Sequence, residues 1–257
     1  MSLAISTGLR WTRRGELLLR PANGGAERRI EALILDLGGT LDADGCSWGE
    51  RFRRLLVEEK LPGADAGRID AALAAGERAL LDHPRAALLG LAEMVGVHLQ
   101  AQLAQLGGAE PDRVHALAVR FVRETADTLQ RRQKLLGRLA ARLPLALVSN
   151  GCGNTRRLLA EHGLEGSFRH VVDSSEVGCW KPDPRIFEPA VHALGVKPGR
   201  IAVVGDRLDR DVAGARAAGL RALWVAGGRT LASGSARTSE VDATLWSVDQ
   251  LEPQATA

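Results

Sequence analysis

Short runs of apolar residues recur along the chain, and each ends at a glycine or a polar residue. Four clear runs and two weaker ones lie at residues 32–35, 145–148, 201–204 and 222–225, and at 170–172 and 243–246. Such runs are typical of strands that are buried on both faces, which is the environment of a parallel sheet. The pattern therefore predicts a buried sheet built from these segments.

Helical patterns separate these runs. Residues 154–163 and 208–219 each end at a glycine. Asp183-Pro184 fits an N-cap followed by proline in the first turn, and it predicts a helix as far as residue 195 that Pro189 bends. Buried strands that alternate with helices predict the α/β class, with a doubly wound, Rossmann-like parallel sheet covered on both sides.

The segment at residues 47–143 breaks this alternation. It holds no convincing strand pattern, and its apolar residues fall on helical faces near Phe52 and Phe121, which predicts about four helices. We therefore predict a catalytic core formed by residues 31–46 and 144–257, with residues 47–143 inserted as an all-helical cap domain.

Residues 1–30 precede this pattern as an N-terminal extension. Residues 9–20 fit either a short hairpin around Arg14-Gly15 or a loosely docked arm, and residues 21–25 fit a linker. The sequence assigns no function to this segment.

Composition and charge narrow the class of protein. The chain has 257 residues, a net charge of +3 and a pI near 9.0, yet no run of five or six like charges predicts a nucleic-acid surface. The sequence contains no window of about 18 apolar residues, so it predicts no membrane span. The three cysteines form no C-x-x-C pair, which favours a reducing compartment, and we expect a cytoplasmic protein.

Polar residues follow three of the predicted strands directly. Asp36, Ser149 and Asp206 stand at these positions. Ligands of an open parallel sheet bind beyond the carboxyl ends of its strands, so we expect these three side chains to converge on one rim.

Four motifs in order carry a resemblance to a known family. They are Asp36-Leu37-Gly38-Gly39-Thr40-Leu41, residues 148–151 (Val-Ser-Asn-Gly), residues 181–187 (Lys-Pro-Asp-Pro-Arg-Ile-Phe) and residues 204–211 (Val-Gly-Asp-Arg-Leu-Asp-Arg-Asp). Together they resemble the motifs of the haloacid-dehalogenase-like (HAD) superfamily, in the subfamily with a helical type 1 cap. The resemblance covers about residues 31–250.

The resemblance implies roles for the residues that contact a phosphoryl group. Asp36 would attack phosphorus, because a carboxylate nucleophile splits hydrolysis into two easier steps through an aspartyl-phosphate. Ser149 and Lys181 would bind the phosphoryl oxygens, and Thr40 would fix the nucleophile loop. The family pattern further implies substrate contacts at Gly39 and Asn150.

The resemblance also implies a metal site. Asp36, Asp206 and Asp211, together with the backbone carbonyl of Gly38, would hold Mg²⁺. Mg²⁺ is a hard cation that prefers oxygen ligands, and phosphoryl transfer depends on stabilising negative charge. The implied function is a Mg²⁺-dependent phosphohydrolase that acts on a small phosphorylated metabolite. We expect a monomer or homodimer without nucleic-acid or membrane partners.

One position departs from the family pattern. Gly38 replaces the second aspartate of the first motif, which is the general acid and base in the family, and general acid–base catalysis contributes typically ~10²–10⁴-fold. Three explanations stay open. Another group such as Asp42, Asp44 or a cap residue serves instead; the substrate has a good leaving group; or the protein has moved to other chemistry or to binding.

Two alternative functions follow from this departure. One is a non-catalytic or weakly active binding or regulatory protein, and the other is an enzyme that cleaves C–P bonds, which would need a cap lysine such as Lys60 or Lys134. The dehalogenase branch is disfavoured, because it carries tyrosine at the position of Gly38 and this chain has no tyrosine, and because Gly205-Asp206 matches a metal-binding pair.

Overall fold

A six-stranded parallel sheet forms the centre of the molecule. The computed structural model describes residues 8–21, 25–230 and 240–253. The strands are β4 (Ala32–Leu35), β5 (Leu145–Ser149), β6 (His170–Asp173), β7 (Ile201–Gly205), β8 (Arg221–Val225) and β9 (Ala243–Leu245). Their order across the sheet is β6-β5-β4-β7-β8-β9, and every neighbouring pair is parallel. β4 therefore lies in the middle, flanked by β5 and β7.

The two faces of this sheet belong to separate apolar clusters. Ala32 and Ile34 pack into one cluster, whereas Leu33 and Leu35 pack into the other. Successive side chains of a strand point to opposite faces, so both faces of β4 are buried. Short helices connect the strands: α5 (Thr155–Glu161), α6 (Ser174–Val177), α7 (Glu188–Leu194) and α8 (Ala213–Ala217). The predicted α/β class with a Rossmann-like sheet is confirmed.

Four helices lie between β4 and β5. They are α1 (Trp48–Glu58), α2 (Ala66–Leu81), α3 (Leu91–Leu106) and α4 (Pro111–Ala140), with a short 3₁₀ turn at Ala86–Leu88. α1 begins at a capping box in which Ser47 and Glu50 exchange hydrogen bonds. Each helix contributes buried apolar residues to the cluster that also holds Leu33 and Leu35. The apolar cores of the helices are therefore continuous with the cluster on that side of the sheet, and we call these helices the cap.

The first strands form a separate antiparallel sheet. β1 (Leu9–Trp11), β2 (Leu17–Leu19) and β3 (Arg28–Ile30) pair in that order, and the first two form a hairpin whose turn includes Gly15 at φ 77°. Leu17, Leu19 and Ile30 are fully buried in the same cluster as the cap. The hairpin is therefore docked against the core.

Two predicted helices differ from the structure. Asp183 caps the first of these segments, Pro184 opens it and Gly195 ends it, as predicted. Residues 184–187 form a 3₁₀ turn, however, and α7 begins at Glu188, so the segment is not one bent α-helix. Pro189 lies in the first turn of α7, where its missing N–H leaves no hydrogen bond unmade. Residues 208–212 form a π-helical turn before the short α8. Within the described part of the chain, no helix combines the length and apolarity needed to cross a membrane.

Candidate active site

The central strand β4 delivers Asp36 to the rim of the sheet. The N–H of Asp36 donates to the carbonyl of Val204 at 3.0 Å, which continues the ladder with β7, and the side chain is buried. The chain then turns tightly through Leu37–Leu41. Gly39 in this turn has φ 87°, and a Cβ there would lie 2.7 Å from Asp206 Oδ2. The turn therefore needs glycine at residue 39, both for its backbone conformation and for its close approach to Asp206.

Lys181 is the electrostatic centre of the site. Its buried Nζ donates to Asp36 Oδ1 at 2.5 Å, to Asp211 Oδ1 at 2.6 Å and to the carbonyl of Val148 at 3.0 Å. An ammonium group has three donors, and all three are satisfied here. The lysine therefore holds the Asp36 carboxylate at a fixed orientation.

Asp206 follows β7 and lies opposite Lys181. Oxygens of Asp36, Asp206 and Asp211 all lie within 4.8 Å of one another. The Thr40 hydroxyl lies 3.1 Å from Asp36 Oδ2 and 3.3 Å from Asp206 Oδ1, and it donates to one of them at a time. The expected convergence of Asp36 and Asp206 on one rim is therefore present.

Crowding shifts the pKa values of these groups. Burial raises the pKa of Asp36 to about 6, with a further rise from the charge of Asp211, while Lys181 and Thr40 oppose the shift. Burial and then the charges of Asp36 and Asp211 raise the pKa of Asp206 to about 8. Burial alone would lower the pKa of Lys181, but Asp211 and Asp36 raise it above its ordinary value. On the Asp206 side, Arg229 Nη2 lies 3.9 Å from Asp206 Oδ2 and only partly opposes the rise in the pKa of Asp206.

The donor set fits a hard divalent cation. Asp206 Oδ2 is buried and has no hydrogen-bond partner, although unpaired buried carboxylate oxygens are costly. Asp36 Oδ2 lies on the same side, where only the Thr40 hydroxyl contacts it among the hydrogen bonds of the described residues. Carboxylate oxygens are the ligands that Mg²⁺ prefers, and Asp36 and Asp206 would supply them.

Asp211 has a different environment from the other two carboxylates. Its Oδ1 accepts from Lys181, and its Oδ2 accepts from the N–H of Arg207 at 3.0 Å. Gly205 permits this close packing, because a Cβ there would lie 2.3 Å from Asp211 Cβ. The structure thus gives Asp211 a role in positioning Lys181, and its predicted role at the metal stays a prediction.

The second motif lies at the end of β5. Ser149 is buried in the last position of the strand. Asn150 uses both ends of its amide on the Lys181 main chain: Oδ1 accepts from the Lys181 N–H at 2.8 Å, and Nδ2 donates to the Lys181 carbonyl at 3.2 Å. Asn150 therefore positions the lysine, and substrate contacts at Gly39 and Asn150 stay predictions.

The cap covers the side of the loop where Gly38 lies. A Cβ on Gly38 would be 3.7 Å from Trp48 Cδ1 and Nε1. The Trp48 indole N–H donates to Asp42 Oδ2 at 2.5 Å, and Arg51 Nη1 lies 3.8 Å from the same oxygen. Burial raises the pKa of Asp42, while Arg51, Trp48 and the N–H of Gly39 oppose the rise. The nearest groups to Gly38 are thus an indole ring and a hydrogen-bonded carboxylate.

Several residues of this region escaped sequence reasoning. Arg51 of the cap is buried, and its guanidinium stacks 3.8 Å above the Phe121 ring. Arg229 donates to the carbonyls of Asp206 and Ala226, and with Glu50 it lines a cavity of about 240 Å³ that opens onto Asp206. The hydrogen-bond partners of Arg51 are at least 70 residues away, and Asp206 is 23 residues before Arg229, so no local signal identifies these contacts.

The cap contains two lysines. Lys60 and Lys134 are exposed to solvent. A Schiff-base lysine needs a lowered pKa, which usually comes from a buried position. Cleavage of a C–P bond through either lysine therefore finds no support in the structure.

The fold and this cluster agree with a family comparison. A sequence model of the haloacid dehalogenase-like hydrolase family matches residues 30–219, and the chain belongs to this family. The HAD-hydrolase YfnB from Bacillus subtilis, whose structure contains magnesium, has the same fold at 20% identity and a TM-score of 0.55. The match covers 87% of this chain and 97% of YfnB.

Curated relatives match shorter parts of the chain. A phosphoserine phosphatase from Thermus thermophilus is 43% identical over 127 residues, which cover 48% of this chain and 51% of that protein. A glyceraldehyde 3-phosphate phosphatase from Methanopyrus kandleri is 50% identical over 58 residues, which cover 23% of this chain and 25% of that protein. The chain thus spans about half or less of the length of these relatives.

Proposed function

We propose that this protein is a Mg²⁺-dependent phosphohydrolase that acts on small phosphorylated metabolites through an aspartyl-phosphate. The observation that carries the proposal is the geometry of Asp36, whose carboxylate is held by Lys181 on one side and lies near Asp206, which has one oxygen without a hydrogen-bond partner, on the other. Relatives named as phosphatases support the same class of reaction.

The residues of the site suggest a two-step mechanism. Asp36 attacks the phosphorus atom, and the bond to the leaving group breaks. Water then attacks the phosphorus of the aspartyl-phosphate and regenerates the Asp36 carboxylate. Lys181 would stabilise the negative charge on the phosphoryl oxygens, and Ser149 at the end of β5 would contact the same oxygens. A bound Mg²⁺ would supply the positive charge that an anionic substrate needs beside Asp36 and Asp206.

Phosphate release by the wild type and by two variants tests the proposal. We expect phosphate release from a panel of phosphorylated metabolites that requires Mg²⁺ and falls at least ~10³-fold in Asp36→Asn. Asp70→Asn, which removes an exposed carboxylate on α2, is the matched control and should keep full activity. Phosphate release that persists in Asp36→Asn would exclude the proposed nucleophile.

Metal binding can be tested without turnover. Protons compete with Mg²⁺ for Asp206, whose pKa is raised to about 8, so we expect Mg²⁺ to raise the melting temperature more at pH 8 than at pH 6. Asp206→Asn should abolish this stabilisation, and Asp70→Asn should retain it. An equal effect of Mg²⁺ on wild type and Asp206→Asn would place the metal elsewhere.

A binding or regulatory protein is the second candidate function. The absence of a side chain at Gly38 is the observation that favours it. Such a protein would bind Mg²⁺ and a phosphate mimic without releasing phosphate from any substrate in the panel.

A further inference from the structure

The region around Gly38 shows how a phosphate monoester could react without a general acid. Asp42 in the nucleophile loop and Glu50, two residues after Trp48 on α1, are two candidates for the missing acid. The third, Asp44, is engaged elsewhere, because its Oδ1 accepts from the Ser247 hydroxyl at 2.8 Å and from Arg132. The hydrogen bonds that Asp42 and Glu50 make decide whether either can donate a proton to a leaving group.

Asp42 already accepts a hydrogen bond on each oxygen. Its Oδ1 accepts from the N–H of Gly39 at 2.6 Å, and its Oδ2 accepts from the indole N–H of Trp48 at 2.5 Å. Both donors are N–H groups that cannot reverse, and the guanidinium of Arg51 lies close to Oδ2. Two N–H donors and a nearby cation favour the ionised carboxylate, which has no proton to give. Asp42 therefore holds the loop and the indole in place.

Glu50 is used in the same way at the start of α1. Its Oε2 accepts from both the N–H and the hydroxyl of Ser47, at 2.7 Å each, and its Oε1 faces Arg229 at 3.9 Å. The helix cap thus fixes Glu50 at the rim of the cavity, with a cation beside its other oxygen. Like Asp42, it is held as an acceptor.

Trp48 supplies the surface that a leaving group would meet. Its ring lies in contact distance of the Gly38 position, and its single N–H is directed to Asp42. Behind it the rings of Phe52 and Phe121 stack at 4.5 Å between centroids. An aromatic wall offers apolar contact to a leaving group and no proton.

We infer that the substrate carries a weakly basic leaving group, such as a carboxylate or a phenolate, that departs from phosphorus without being protonated. The inference rests on the proposed function and narrows its substrate class to acyl or aryl phosphates. An Asp36 oxygen forms the new bond to phosphorus, the bond between phosphorus and the leaving oxygen breaks, and its electron pair leaves with that oxygen. The leaving group departs as an anion, and solvent water supplies any later proton.

The second step also proceeds without a general acid or base. Water attacks the aspartyl-phosphate, the bond between phosphorus and the Asp36 oxygen breaks, and the electron pair returns to the Asp36 carboxylate. The proton of the attacking water passes to solvent or to the departing phosphate. Because neither Asp42 nor Glu50 is free to accept this proton, we expect hydrolysis of the intermediate to be slow and to become the common limit on kcat for good substrates.

A series of substrates with different leaving groups tests the inference. The series is an acyl phosphate, phenyl phosphate and an alkyl phosphate, whose leaving groups have pKa values of about 4, about 10 and close to the ~16 of water. We expect wild-type kcat/KM to fall at least ~10²-fold from the acyl to the alkyl member, because protonation matters most for the alkoxide. Equal kcat/KM values along the series would overturn the inference.

Gly38→Asp adds the missing carboxyl group. The backbone of Gly38 at φ −76° accepts any residue, and a Cβ there meets only ordinary contacts with Trp48. We expect the ratio of alkyl to acyl kcat/KM to rise ~10²–10⁴-fold in this variant. Gly137→Asp, at an exposed glycine of α4 with open space around it, is the matched control and should leave the ratio unchanged. An unchanged ratio in Gly38→Asp would contradict the inference.

Two further variants separate the rival acids. If Asp42→Asn or Glu50→Gln lowers kcat/KM for the alkyl member alone, that residue is the acid and the inference is overturned. A loss shared by all three substrates, or no loss, supports it. No release of phosphate from any member by folded, Mg²⁺-bound wild type would refute the proposed function itself, whereas a shallow dependence refutes only the leaving-group inference.

Discussion

The core side and the cap side of the site handle buried charge in opposite ways. On the core side, the ammonium group of Lys181 is shared between two carboxylates, and Asp206 keeps one oxygen without a partner. On the cap side, Asp42 pairs with Arg51 among aromatic rings. Under the proposed function, the core side would receive a cation and an anionic phosphoryl group, and the cap side would offer apolar contact. The chemistry of the phosphoryl group and the choice of leaving group would then depend on different residues.

The largest expected effect comes from removing the shared cation. Lys181→Met would leave Asp36 and Asp211 buried without their partner, and breaking a buried ion pair in this way costs about 3–5 kcal/mol. Urea unfolding without Mg²⁺ measures the loss. Lys197→Met, at an exposed lysine, should change the free energy of unfolding by less than about 0.5 kcal/mol. A loss below about 1 kcal/mol for Lys181→Met would show that the cluster does not depend on the lysine.

A comparable effect on the cap side should come from packing alone. Phe121 is buried, and it contacts the rings of Phe52 and Trp48 and the guanidinium of Arg51. We expect Phe121→Ala to lower the free energy of unfolding by about 3–5 kcal/mol. Val119→Ala, at an exposed position of the same helix, should be nearly neutral. Equal melting temperatures of the two variants would contradict the aromatic cluster.

Acid pH should act with opposite signs on the two sides. Burial lowers the pKa of His98 in the cap to about 4, so its contribution to stability is complete above pH 6.5 and is lost as the pH falls toward 4. The raised pKa values of Asp36 and Asp206 make their contribution rise as the pH falls from about 8.

His98→Gln isolates the cap contribution, because the core groups are the same in both proteins. Between pH 7 and pH 4.5, wild type should lose about 2–3 kcal/mol more than the variant in urea unfolding. Parallel losses in the two proteins would mean that His98 is not held neutral by burial.

A smaller effect is expected where the two sides meet in the nucleophile loop. Gly39→Ala places a methyl group against the Asp206 carboxylate at a φ of 87°, which we expect to cost about 1–3 kcal/mol and to weaken Mg²⁺ binding. Gly137→Ala in the exposed part of α4 should instead stabilise the protein by about 0.5–1 kcal/mol. Thermal unfolding with and without Mg²⁺ measures both. Unchanged Mg²⁺ binding in Gly39→Ala would separate this loop from the metal.

The core side could be predicted from the sequence to a large extent. Apolar runs identify the strands, and a polar residue after each run marks the rim, so Asp36, Ser149 and Asp206 follow from short-range pattern. The same logic fails for residues 183–195, because a proline in a first turn and a proline inside a helix look alike until the start of the helix is known. Pro189 was predicted to lie inside a helix, and it lies in the first turn of α7.

The cap side could not be predicted, because its contacts join residues far apart in the chain. Arg51 and Thr125 are 74 residues apart, and their hydrogen bond gives no local signal. The core side has one such contact as well, because the amide partners of Asn150 belong to Lys181, 31 residues later. Charged residues on amphipathic helices usually face water, so a buried arginine becomes visible only in the folded chain.

The buried Arg132 of α4 links the folding of this helix to a segment of the chain that is synthesised later. Its fully buried guanidinium is paired with Asp44 before it in the chain and with Asp249 after it. Asp249 lies 117 residues downstream, so at ~5–20 residues per second a ribosome adds it roughly 6–25 s after Arg132. Until then the nascent chain has only one of the two anions that let α4 bury this cation. The turn that carries Asp249 thus supplies the second anion to a helix that was synthesised well before it.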